Sequence, residues 1–232
     1  MTEKGWPNPS SAENTASFSG SGTGRRGPAE RVEPLGTEEL HSRQRAFPKD
    51  PEVEYERSAI RIPFYLRGAQ PEGRDLDVMV FDAFMRLERE APTTNGLGYR
   101  QFEFTIATWE LNNTYSMGLG ADITFSLSDT VQPKSLCVAQ RRESDYPALI
   151  VYSAIYDVFL GSKKIVSNQP GVAYASPVWE IPPRNVTVAF EKPFSSDLFA
   201  FSAGTCEGMR SIGREEFEEG VRVARATRAQ AQ

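Results

Sequence analysis

Residues Tyr146–Val166 read YPALIVYSAIYDVFLGSKKIV, and their pattern decides the fold class. At a period of two, Ala148, Ile150, Tyr152, Ala154, Tyr156, Val158 and Leu160 share one face. Leu149, Val151, Ile155 and Phe159 share the other, interrupted by Ser153 and Asp157. β-Branched and aromatic side chains dominate, which favours a strand over a buried helix. A strand apolar on both faces is expected inside a closed or two-layered sheet, with neither face given to water.

The segments around it continue the theme. Upstream, Tyr115–Ser128 alternates strictly between apolar and small polar residues, as a half-buried strand does. Tyr99–Leu111 places Phe102, Phe104 and Ile106 on one face, and Asn95-Gly96 before it is a strong hairpin signal. Asp75–Glu90 fits a helix face as well as a strand, and the hairpin signal decides for a strand paired with 99–111. Ile60, Ile62, Phe64 and Leu66 alternate with polar residues, and Pro63 assigns that strand to a sheet edge. Downstream, Gly161-Ser162 and Pro170-Gly171 read as turns, and Pro182-Pro183 as a break before further short strands over 186–190 and 198–203. Eight to ten short strands predict an antiparallel β-sandwich of Greek-key or jelly-roll type, with a barrel as the alternative closure.

The ends differ in composition. Residues 1–57 open with a Ser-, Gly-, Thr- and Pro-rich stretch that has too few apolar groups to offset its ordering entropy, and they read as a flexible arm and linker with one short helix over 38–46. The β-sandwich domain is assigned to 58–212, and 213–232 to a C-terminal helix and tail. That helix has glutamates first and arginines last, suiting its dipole, and a thin stripe of Phe217, Val221 and Ala224.

Several function classes are disfavoured. A net charge of −5 with interleaved signs gives no footprint for nucleic acid. No apolar run is long enough for a transmembrane helix, and the first residues lack a secretory h-region, so the expected compartment is the cytoplasm and the sequons at Asn112 and Asn185 carry little weight. Cys137, Cys206 and the lone His41 cannot complete a zinc site, and the cysteines read as buried thiols. His41 lies in the linker, which removes a Ser–His or Cys–His mechanism. The glycine pattern over 22–27 has no strand before it. Asp75 and Asp77 near Glu72 lack the remaining ligands of a calcium loop, so neither metal nor cofactor is expected.

Three readings follow. The leading one is a non-enzymatic binding or assembly module, using a protein partner or self-association through the N-terminal arm and the edge strand, with Trp109, Tyr174, Trp179 and Arg184 as its aromatic and guanidinium binding surface. The second is a carbohydrate-active hydrolase using paired carboxylates, for which Glu103 and Glu110 beside Trp109 are the candidates, although their opposite parity separates them on a regular strand. The third is a carrier of hydrophobic small ligands, or a pore-forming β protein, suggested by the aromatic content and by Ser116–Ser128.

Overall fold

The computed structural model describes residues 46–66, 76–112 and 120–230, and among these, alternating apolar residues form ten antiparallel strands, followed by one helix. The strands are β1 (Glu52–Leu66), β2 (Leu76–Arg89), β3 (Thr93–Thr94), β4 (Arg100–Asn112), β5 (Ile123–Leu127), β6 (Lys134–Ala139), β7 (Ala148–Leu160), β8 (Lys163–Val178), β9 (Val186–Ser195) and β10 (Phe199–Ser211). Helix α1 (Arg214–Gln230) follows.

The sheet closes on itself. From β2 the order runs through β1, β10, β9, β8 and β7 to β5 and β4, and β4 pairs back onto β2 over Asp82–Arg89. Strands β5 and β6 share one position between β4 and β7, giving eight staves around the ring. The fold is therefore a closed barrel and not the expected sandwich. The difference has a physical source: β7 does give a face to water, since its side with Leu149, Val151 and Phe159 is the half-buried outside of the barrel. The face with Ala148, Ile150 and Val158 points inward, as the periodicity requires.

Closure also removes the edge strand. Strand β1 pairs with β2 along its length, and with β10 from Glu56 to Arg61 and again at Tyr65 and Leu66. Pro63 lies in the irregular stretch between the Arg61–Thr205 and Tyr65–Ala200 pairs, where the β10 ladder is interrupted. The sheet begins at Glu52, ahead of Ser58, and Phe47 is buried edge-on against Phe102 and Tyr146 while its N–H donates to Asp145 Oδ2 at 2.7 Å. The arm before residue 46, with His41, the 38–46 helix except its last residue and the glycine pattern, lies outside the described residues, as do the side chains of Glu72, Asp75 and Asp77.

Leu76–Arg89 is a strand, and it pairs with β4 over Asp82–Arg89, as the hairpin signal implies. Pro170-Gly171 is not a turn, since β8 runs through it. Ile155, opposite Pro170, directs its N–H and C=O to Gln132 and Ser128 on its other side, so Pro170 sits at a position of the β7–β8 ladder where no N–H is needed. Gly171 is where β8 passes Tyr156: a Cβ there would stand 2.7 Å from the ring.

The shared β5/β6 position leaves a break in the ladder along β7, and side chains bridge it. Gln132 bonds both the N–H and the C=O of Ile155, and Ser135 does the same for Ser153. Beside them Asp157, 5% exposed, accepts from Ser128 Oγ, from Asn168 N at 2.9 Å and from Lys164 Nζ at 2.5 Å. Burial pushes its carboxyl up, but the bonds from Lys164, Ser128 and Asn168 outweigh that and hold it below its usual 3.8. Asp157→Leu is expected to destabilise the fold by about 1–3 kcal/mol, read as a lower urea midpoint, because it orphans these donors. A group held below its usual value stabilises the fold above that value and stops doing so as pH falls through the lowered one. The gap between wild type and variant should therefore close in acid, and equal midpoints at pH 7 would refute the network.

Outside the barrel, α1 lays Phe217 and Val221 onto Phe84 and Tyr55, and Ala224 of the same stripe is also buried. Gly220 costs helix propensity but is required by this seat, since a Cβ would meet the Phe84 ring at 2.2 Å.

Candidate functional site

The inward residues of eight staves form two packed layers of core, one around Phe102, Phe104 and Ile150 and one around Phe81, Phe125 and Phe201. Between the largest side chains the lumen keeps small residues: Ala83, Ala154, Gly171, Ala173 and Gly204 all line one interior cavity of about 90 Å³. Larger groups complete the wall, including Trp109, Tyr156, Met85 and Met209. Trp109 stands edge-on to Tyr156 with ring centroids 5.8 Å apart.

The cavity has few polar groups. Ser58 and Cys206 lie side by side in a hydrogen bond, and both are buried. Glu56, on the same inward face of β1, is 2% exposed and also lines a smaller cavity of about 20 Å³. Among the described residues its Oε2 is the one buried side-chain polar atom without a hydrogen-bond partner. Desolvation, reinforced by the charge of Glu54, pushes the Glu56 carboxyl up to about 8, so it is protonated at neutral pH. The only guanidinium lining the smaller cavity, Arg89, is committed to Glu54 and Glu52 and to the carbonyls of Pro48 and Asp50.

The expected binding surface is not assembled. Trp109 is in the lumen, Tyr174 belongs to the outer face of β8, Trp179 is 59% exposed beyond the end of β8, and Arg184 is an exposed partner of Glu180 at 3.4 Å. The carboxylate pair fails for a different reason. Ala107 is an extra residue in β4, between the Leu87–Ile106 and Arg86–Thr108 pairs, and this bulge shifts the parity so that Glu103 and Glu110 both face outward. Glu103 meets Lys134 at 2.7 Å, and Glu110 is covered by Arg225 and Arg228 of α1. Neither faces a cleft with the other.

Sequence reasoning missed Glu56. The available signal was its parity: Glu56 and Ser58 continue inward the apolar face of Ile60, Ile62 and Phe64. Cys137 and Cys206 are buried free thiols. Among the described residues no helix is long and apolar enough to cross a membrane, and no group of three acidic, cysteine or histidine side chains is placed to hold a metal.

Neither a protein-family model nor a curated protein matches this chain. Among solved structures it resembles DynF from the dynemicin biosynthesis pathway of Micromonospora chersina, with 13% sequence identity and a TM-score of 0.53, over 73% of this chain and 85% of that one. At that identity the likeness supports the barrel and nothing about activity.

Proposed function

We propose that the protein is a non-enzymatic binder that carries a compact, mostly apolar small molecule in the barrel lumen. The observation that carries this reading is the interior cavity of about 90 Å³, walled by aromatic, aliphatic and small side chains around one uncharged carboxyl. Its volume is below the ~150 Å³ of an apolar cavity that takes benzene. A single ring therefore fits by displacing wall groups, and the flexible thioethers of Met85 and Met209 suit that. An inward apolar wall with charged residues outside, such as Arg61 and Glu207, is the reverse of a water-filled membrane barrel and weighs against the pore reading.

The seam between β8 and β9 supplies an entry. Only Ala173–Phe190, Tyr174–Ala189 and Ala175–Val188 pair across it, although β8 runs on to Lys163 and β9 to Ser195. Phe190 and Gly171 border both the seam and the cavity. Catalysis is disfavoured because the neighbouring groups hold their protons: burial raises the Cys206 thiol to about 11 and the Tyr152 hydroxyl well above its usual value.

Toluene binding, followed by amide chemical shifts, tests the reading. Shifts should concentrate on lumen residues of β1, β7 and β8. Ala173, which faces Tyr152 across the β7–β8 ladder, is small and inward. Ala173→Phe places a ring in the space and should abolish the shifts while unfolding stays cooperative. Undiminished binding by that variant, or no binding by wild type, would refute the reading.

A further inference from the structure

Resting on the chamber reading, we infer that Glu56 is the specificity-determining anchor of the lumen, and that the ligand it selects is a neutral, ring-sized molecule carrying a carbonyl acceptor. The cavity is polar at few points, and Glu56 Oε2 is the described buried side-chain atom left without a partner there. A buried polar group with no partner costs more than an apolar one in its place, so a ligand that satisfies it gains that difference. Ser58 is already engaged with Cys206.

The sign of the anchor follows from its surroundings. Within β1 it is faced by Glu54, an acidic neighbour; from β2 comes Arg89, held by Glu52 and Glu54; from β7 comes Tyr152, from β6 Cys137 and from β10 Cys206. No described cation pairs with Glu56, so its carboxyl is neutral and its strongest remaining capacity is to donate its O–H. A ketone or aldehyde oxygen accepts that bond. A carboxylate ligand meets Glu54 and a site that disfavours charge, and a hydrocarbon leaves the donor unpaired. The ring occupies the wall formed by Trp109, Tyr156 and Phe125.

The test compares acetophenone, ethylbenzene and benzoate, three probes of similar size, by titration calorimetry on the full chain. At pH 6.5 wild type should bind acetophenone at least tenfold more tightly than ethylbenzene, with no benzoate binding. The preference should shrink as pH rises past 8, because the ionised carboxyl no longer donates. Glu56→Gln, whose amide N–H still donates, should keep the preference and lose its pH dependence. Glu56→Leu should bind both neutral probes equally. Ethylbenzene binding with no acetophenone advantage in wild type, or an advantage surviving in Glu56→Leu, overturns the anchor and leaves the chamber standing. If no probe binds, the chamber itself falls, and the anchor with it.

Discussion

Between pH 5 and pH 8 the protein is expected to lose stability, and Glu56→Gln is expected to abolish most of that loss. Glu56 is carried from an ordinary value of 4.5 to about 8 by burial and by Glu54. A carboxyl raised in the fold favours the folded state fully below its unfolded value. As pH climbs through the interval, the unfolded chain releases this proton while the folded chain retains it, so the stabilisation drains away until the folded value is passed. One proton over three pH units amounts to on the order of 4 kcal/mol. Asp157 titrates below this window, and Cys206 and Tyr152 above it, so their contributions are nearly flat within it. Urea midpoints at half-unit intervals should fall in wild type and stay level in Glu56→Gln. Parallel profiles would show that water or a cation reaches the carboxyl and keeps it ordinary.

Inward parity is a local property, so the inward faces of β7 and of β4 as far as Ile106 follow from alternation, and the strand identity of Leu76–Arg89 follows from the hairpin signal after it. Closure is not local. It depends on the pairing of Asp82–Arg89 with 104–112, and the same strand pattern serves an open two-layer sheet equally well. Bulges are also hidden: nothing in TIATWEL marks Ala107 as the inserted residue, yet it reverses the facing of Trp109 and Glu110. Trp109, Tyr174, Trp179 and Arg184 are alike in residue type, and type does not separate lumen from exterior. Pro63 and Pro170 stand within strands for a related reason, since each occupies a place where its ladder bond is not required.

The double substitution Arg225→Ala with Arg228→Ala is expected to destabilise the protein by about 3–5 kcal/mol, the usual cost of stripping a buried charge of its partners. Glu110 lies on the outer face of β4 with 2% of its side chain exposed, and its two oxygens meet Arg225 Nε at 2.7 Å and Arg228 Nη1 at 3.3 Å. Arg228 also lies over the Phe159 ring, 4.7 Å from its centroid, so α1 is clasped to β4 and β7 together. Removing both guanidinium groups leaves the carboxylate beneath the last turns of the helix with no cation. Two relaxations compete: the barrel can unfold earlier, or α1 can lift and admit water, at the cost of exposing Phe217, Val221 and Phe84. The second caps the loss, and it is visible as proteolytic cleavage within 214–230 ahead of global unfolding. Adding Glu110→Leu to the double variant separates these origins. It removes the orphaned charge and supplies apolar surface against the helix, so it should recover most of the lost stability. If the triple variant were no more stable than the double, the arginines would be acting through packing on Phe159 and the helix end, not through the charge of Glu110.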